Sequence, residues 1–233
     1  MMDAKSIVEN AIREGRYFLL EPEAKLLCKL YGLPVTEFRV AKDLEEAKRY
    51  AKEIGYPVVL KIVSPDILHK SDVGGVVINI KDESELVKAY NKIIDNVKKR
   101  VPNARIRGIL VQEFAPPGRE VIVGVAKDPQ FEHVIMFGLG GIFVEILRDV
   151  TFRVLPITKK DALEMISEIK GYPILKGYRG EPPADVEAIV NIMLGVSDLI
   201  KDLPMISQLD LNPIIVYEKG AKIIDARIIL ETS

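Results

Sequence analysis

The sequence predicts a mixed α/β chain of the α+β kind, built as two lobes. Three observations carry this reading: helix-period and strand-period segments alternate from residue 3 onward, a stiff Pro116-Pro117 connector interrupts the chain near its middle, and a long hairpin pattern closes it. Residues 3–14 set Ile7, Val8, Ala11 and Ile12 on one helical face and stop at Gly15. Pro22 lies in the first turn of a second helix, striped by Ala24, Leu27, Cys28 and Leu30 and ended by Gly32-Leu33-Pro34 before an extended stretch over 35–40. Asp43 caps a third helix with Leu44, Ala47, Tyr50, Ala51 and Ile54 inward, Gly55 ends it, and residues 57–63 read as a buried strand. A polar link follows over 64–75, then a strand at 76–80. Asp82 with Glu85 forms a capping box for a helix that turns Leu86, Ala89, Tyr90, Ile93, Ile94 and Val97 one way. Strands are expected at 108–114, 120–126 and 134–137, with a Gly138-Leu139-Gly140-Gly141 turn and further extended stretches to Pro156. Thr158 caps the next helix, Pro182-Pro183 precede the last, and residues 206–217 and 222–230 close the chain as a hairpin about Lys219-Gly220.

At 233 residues the chain is long enough to bury a substantial core. Its 33 Lys+Arg against 34 Asp+Glu leave a formal charge of −1, which argues against nucleic acid or an anionic membrane as partner. Cys28, the single cysteine, excludes an internal disulfide, and two histidines with one cysteine exclude a finger-type zinc site. Asp3 stands where a signal peptide would be basic, and no apolar run approaches the roughly 18 residues of a membrane span, so a cytoplasmic protein is expected. Abundant Glu, Lys and Arg and the absence of Trp lean toward a heat-adapted source.

The closing hairpin carries the sharpest chemical signal. In Ser207-Gln208-Leu209-Asp210-Leu211-Asn212-Pro213 the alternation puts Leu209 and Leu211 on one face and Gln208, Asp210 and Asn212 on the other. With Lys219-Gly220 as turn residues, positions summing to 439 pair, so Asn212 faces Arg227 with Asp225 as its diagonal neighbour. Such oxygen donors suit Mg²⁺, although a solvated polar face beside an apolar one has equal claim. Lys61 interrupts an apolar strand, where an ammonium needs water or an anionic partner such as phosphate. His69 lies in the long 64–75 link near Asp66, Asp72 and two glycines, as an exposed nucleophilic imidazole would, whereas His133 in a strand-like run reads as an ordinary hydrogen-bonded histidine. Gly138-Leu139-Gly140-Gly141 lacks the spacing of a dinucleotide fingerprint, and no segment matches a P-loop.

Taken in order, Glu21-Pro22-Glu23-Ala24-Lys25, Tyr31-Gly32-Leu33-Pro34-Val35, Tyr56-Pro57-Val58-Val59-Leu60-Lys61, His69-Lys70-Ser71-Asp72-Val73-Gly74-Gly75, Gly118-Arg119-Glu120-Val121-Ile122-Val123-Gly124 and Leu209-Asp210-Leu211-Asn212-Pro213 resemble the ATP-grasp subunit of the ADP-forming acyl-CoA synthetases. Agreement extends to Phe137-Gly138-Leu139-Gly140-Gly141-Ile142-Phe143-Val144-Glu145 and Asp225-Ala226-Arg227. The resemblance implies an ATP-grasp fold over 1–233, with an N-terminal lobe of about 20–112 and a C-terminal lobe of about 113–233 and nucleotide held between two sheets. It implies that Lys25 and Lys61 contact phosphates of ATP or ADP, that Gln112, Glu113 and Phe114 offer backbone groups to adenine, and that Glu120 is the ribose-side acid. Asn212 and Asp225 become Mg²⁺ ligands. His69 becomes the residue that takes a phosphoryl group from a partner's phosphohistidine and delivers it to ADP, with Asp210 beside the imidazole. The overall conversion is then acyl-CoA, ADP and phosphate to acid, ATP and CoA, and the chain is half an enzyme. An alpha subunit would supply the CoA-binding site and the first phosphohistidine, in an α2β2 assembly. A nucleotide-sensing module of a larger complex is the alternative, and it would need Lys61 and the hinge but no phosphate-accepting histidine.

Overall fold

The computed structural model describes residues 3–141, 148–178 and 180–231. The chain divides into two compact units, Thr36–Ala115 and Met1–Val35 with Pro116–Ser233. The division therefore starts at residue 36 rather than near 20, and ends close to the expected 112. The reason lies in α1 (Ala4–Arg13) and α2 (Glu21–Leu30), whose partners are C-terminal. Phe18 and Val35 bridge to Ile229 and Ile223, and the Leu19 N–H donates to the Ile228 carbonyl. Within the turn between the helices, the Arg16 guanidinium grips both carboxylate oxygens of Glu23 at 2.8 Å, and Glu23 also accepts from the Leu20 N–H at 2.7 Å. On α2, Cys28 is fully buried, and loss of solvation pushes its thiol up to about 12.

The smaller unit is a four-stranded sheet under two helices. Its elements run β1 (Phe38–Ala41), α3 (Leu44–Ile54), β2 (Val58–Val63), β3 (Val76–Ile80), α4 (Glu83–Arg100) and β4 (Gly108–Glu113). Strand order is β1-β4-β2-β3, and every pairing is antiparallel. Asp43 and Asp82 each accept the N–H of the residue three positions on, at 2.8 Å. The matching glutamates, Glu46 and Glu85, reach one residue further back than a capping box requires, to the N–H groups of Lys42 and Lys81. The two helices thus start with one device, Lys-Asp-x-x-Glu. Their apolar stripes close a core of Ala47, Ala51, Leu86 and Ile93 on Leu60 and Val111 of the sheet.

The larger unit continues with β5 (Arg119–Asp128), β6 (Glu132–Leu139), β7 (Val150–Val154), α5 (Lys159–Glu168), α6 (Tyr172–Leu175), α7 (Val186–Asp202), β8 (Ile206–Val216), β9 (Ala221–Ile223) and β10 (Ala226–Leu230). Its sheet runs β10-β8-β5-β6-β7, with β9 on β8, and its ladders are also antiparallel. Alternation of helix and strand therefore yields an α+β fold with no parallel ladder among the described residues. The predicted elements appear in order; the one-turn α6 had no pattern to announce it. Thr158 and Asp161 form the capping box of α5. Asp185 starts α7 by accepting from the Ala188 N–H at 3.0 Å, and its other oxygen takes the Gly220 N–H at 2.7 Å, tying the hairpin turn to that helix. Among the described residues no helix is long and apolar enough to cross a membrane. Removing both bonds with Asp185→Ala is expected to cost about 1–2 kcal/mol, seen as a fall of roughly 2–8 °C in a thermal melt.

Candidate functional site

β8 is flanked by β5 on one edge and by β10 and β9 on the other, so its pleat decides which side chains share a face. Across this hairpin the paired numbers sum to 437, as in Ile214 with Ile223 and Arg227 with Asp210, and not to 439. The Tyr217 N–H bonds to the Gly220 carbonyl, so the turn residues are Glu218-Lys219, with Gly220 at φ 79° just after them. Arg227 consequently faces Asp210 rather than Asn212, and Asp225, between β9 and β10, comes level with Asn212. The displacement is one residue on each strand, two in the sum, so every side chain keeps its face. Asp210, Asn212, Asp225 and Arg227 still form one polar cluster, now as the pairs 210/227 and 212/225.

On the other side of Asp210 the partner in β5 is Gly124. A side chain there would press on the Met136 Cε at 3.2 Å, and its absence leaves Asp210 open toward β5. Desolvation pushes the Asp210 carboxyl up, the Asp225 carboxylate adds repulsion, and Arg227 partly offsets both. The Asp225 Oδ1 accepts the N–H of Ala226 at 2.9 Å, which fixes the carboxylate at the strand break. Among the described residues no three His, Cys, Asp or Glu side chains converge as a metal cage. One carboxylate and one amide oxygen nevertheless suit Mg²⁺, which keeps waters and takes phosphate oxygens for the rest of its shell.

Glu120 is exposed on β5, and its carbonyl accepts the Gly140 N–H at 2.8 Å. A Cβ on Gly140 would lie 2.9 Å from that of Glu120, so the turn that fails as a dinucleotide fingerprint serves close packing against this acid. Ile142, Phe143, Val144 and Glu145 of the same motif lie outside the described residues. Lys25 is 0% exposed, its Nζ 3.7 Å from Glu21 on the same face of α2, so a phosphate would have to compete with that carboxylate. His133 is buried and donates through Nε2 to the Ile206 carbonyl at 2.7 Å, a structural role.

In the smaller unit Lys61 is 6% exposed within β2, between β3 and β4. The 64–75 link that follows is tied down rather than hanging free. Asp66 accepts from Arg105 through the side chain, at 2.7 Å from Nη2, and through the backbone N–H at 2.7 Å. These bonds hold its carboxyl down at about 2. On the far side Arg100 donates to the Asp72 carbonyl, Asn96 to that of Gly74 at 3.1 Å, and the Gly75 carbonyl accepts from Ile62 at 2.8 Å. Gly75 has no room for a side chain, since a Cβ would come within 2.5 Å of Ile62 Cγ2. Asp66 and Asp72 stand three residues either side of His69, which is exposed at the midpoint. Sequence reasoning missed the two arginines; the cation run from Lys98 to Arg107 was the available signal.

Gln112 is fully buried at the end of β4, and the N–H groups of Glu113 and Phe114 already donate to Glu37 and Pro57, at 2.9 and 3.3 Å. Those two donors are therefore engaged in the sheet. Glu37 in turn donates its N–H to the Glu113 carboxylate at 3.1 Å. The expected residues thus fall into two sets: Lys61, His69, Gln112, Glu113 and Phe114 in the smaller unit, and Lys25, Glu120, Asp210, Asn212 and Asp225 in the larger.

An ATP-grasp domain family matches residues 10–230. The chain is 57% identical over 232 residues to the acetate–CoA ligase (ADP-forming) II subunit beta of Pyrococcus furiosus, covering 98% of each. Among solved structures it is similar to Ca. Korarchaeum cryptofilum dinucleotide forming acetyl-coenzyme A synthetase 1 in complex with coenzyme A, Ca-AMPCP and HgCl+, with TM-score 0.95 and 53% identity over 98% of this chain and 100% of that one. A selenomethionine form of the same synthetase with coenzyme A and Mg-AMPPCP, its phosphohistidine segment pointing towards the nucleotide binding site, gives TM-score 0.88 and 49% identity at the same coverage.

Two outcomes follow from the geometry. Because the folded state disfavours the Asp210 carboxylate, its ionisation detracts from stability above the raised pKa, and this loss fades as pH falls and the group protonates. Asp210→Asn is expected to raise Tm by a few degrees at neutral pH and by progressively less in acid, read by calorimetry across pH. Asp66→Asn is expected to speed amide hydrogen exchange at Arg105 and along the 66–73 stretch at neutral pH, leaving the α3 and β2 amides unchanged.

Proposed function

Since the chain belongs to the ATP-grasp family, and within it to the beta subunits of ADP-forming acetate–CoA ligases, we propose that it performs the nucleotide half-reaction of that conversion, passing a phosphoryl group through His69 to ADP. The observation that carries this reading is an imidazole held exposed at the midpoint of a twice-anchored loop. A nucleotide sensor has no use for it, which disfavours the alternative.

In the direction of ATP synthesis, a neutral His69 ring nitrogen attacks the phosphorus of the partner's phosphohistidine. A new N–P bond forms as the partner's N–P bond breaks, and the departing imidazole keeps the electron pair. His69 releases its ring proton to solvent and the partner's imidazole regains one. In the second transfer a terminal oxygen of ADP attacks the phosphorus, the His69 N–P bond breaks with its electrons returning to the ring, which takes back a proton from solvent, and ATP forms. Such transfers depend on alignment and charge cancellation more than on further covalent help.

The remaining roles follow from what each side chain offers. Lys61 presents an ammonium from a buried strand, where its attraction for phosphate is little screened. Glu120 accepts ribose hydroxyls. Gln112, Glu113 and Phe114, where β4 ends, offer backbone groups to adenine. Asn212 and Asp225 hold Mg²⁺, which when bound neutralises phosphate charge. Asp210 orients the imidazole or balances its charge, and Lys25 contacts phosphate by exchanging Glu21 for it. An alpha subunit bearing the CoA site and the first phosphohistidine completes a cytoplasmic α2β2 enzyme.

Incubating the purified chain with Mg²⁺ and γ-³²P-ATP is expected to give an acid-labile, alkali-stable label that His69→Ala abolishes. Asp225→Asn is expected to raise the Mg²⁺ concentration for half-maximal labelling by about tenfold or more. Nucleotide binding without label, even after an alpha subunit is added, would return the chain to the sensor reading.

A further inference from the structure

The relay leaves one member of the polar face idle, Arg227 on β10. It is exposed and, among the described residues, makes no ion pair and no side-chain hydrogen bond, although its ladder partner is Asp210. Arg16, Arg119 and Arg153 of the same unit are instead committed, to Glu23, to the Ile174 and Pro182 carbonyls and to Glu168. A guanidinium that faces a carboxylate without closing on it keeps its fork of N–H donors for another acceptor. The ladder fixes where that acceptor lies. Arg227 follows Asp225 by two residues, and Asp210 precedes Asn212 by two on β8, about 7 Å in an extended strand. The 210/227 pair is thus one pleat repeat from the 212/225 pair, within the span of an arginine side chain. On the far side of Asp210 the face is kept low by Gly124. Among the chain's glycines it alone has neither a positive φ nor a neighbour within 3.0 Å of an added Cβ, the nearest atom being the free end of Met136. A strand glycine that its own surroundings do not demand marks a place where a ligand comes close to the backbone.

We infer that Arg227 is a further catalytic residue, whose guanidinium holds two oxygens of the phosphoryl group while it passes between the imidazole and ADP. The inference rests on the relay reading above. Asp210 and Asp225 bring two negative charges to this face and Arg227 one positive, so an incoming phosphoryl oxygen is repelled by the first two and drawn to the third. Arg227 takes part in no bond that is made or broken. Its fork meets the charge spread over the equatorial oxygens of the group in flight, where a lysine would offer a point charge.

The test follows His69 labelling by Mg²⁺ and γ-³²P-ATP in single turnovers, with ADP affinity measured by calorimetry on the same variants. In Arg227→Ala the labelling rate is expected to fall roughly a hundredfold or more while ADP affinity stays within about threefold, since ADP lacks the group that is held. Arg227→Lys, with the charge but not the fork, should recover only part of the rate, and guanidinium chloride should raise the rate of Arg227→Ala but not that of wild type. The Asp210→Asn background separates this role from a mere counter-charge. A counter-charge has no work left there, whereas an arginine that holds the phosphoryl group still costs about tenfold or more when removed. A rate in Arg227→Ala within about threefold of wild type, a loss of ADP affinity equal to the loss of rate, or no cost of Arg227→Ala in the Asp210→Asn chain overturns the role and leaves the relay standing. Absence of His69 label in wild type, from ATP and from a phosphorylated alpha subunit alike, overturns the relay and this role with it.

Discussion

Antiparallel pairing of β8 is the constraint on which the larger unit depends. A strand with neighbours on both edges has its backbone groups committed, so the only freedom left is register. A slip of one residue would bring Leu209 and Leu211 into water and bury Asp210 and Asn212. That cost is what holds four polar side chains on one face. Asp210 pays for the arrangement with a disfavoured carboxylate, the ordinary relation between a site and the scaffold that carries it. The turn beyond β8 is held as well, because Asp185 joins it to the start of α7.

Local devices were legible in the sequence and long-range ones were not. Caps such as Asp43, Asp82 and Thr158 act within four residues, and the stripes of α3 and α4 repeat at helical period, so reading along the chain suffices. The faces of the hairpin were legible for the same reason, since alternation is local. Its register was not, because Lys219-Gly220 and Glu218-Lys219 are both plausible turn pairs and only the bond from Tyr217 to Gly220 distinguishes them. Both sheets proved antiparallel because strand direction follows from chain routing, which helix–strand alternation does not encode.

The site divides along the same line. His69 stood out by its neighbours in sequence, and Asp210 and Asn212 by their spacing. The pairing of Asp66 with Arg105 joins positions 39 residues apart, and no periodicity marks it. The engaged N–H groups of Glu113 and Phe114 were hidden likewise, since their acceptors lie in Glu37 and Pro57, on either side of a strand end. The grouping of α1 and α2 with the C-terminal sheet is the same lesson at larger scale: an amphipathic helix declares that it will pack, but not against what.

Cys28 has a practical corollary. A thiol with no exposed surface and an ionisation near 12 presents almost no thiolate to an electrophile at neutral pH. A cysteine placed on the surface, at Ser71 for instance, could therefore be coupled to a maleimide dye in the otherwise natural chain. Distance measurements by fluorescence then become possible beside His69 without first rebuilding the interior of α2.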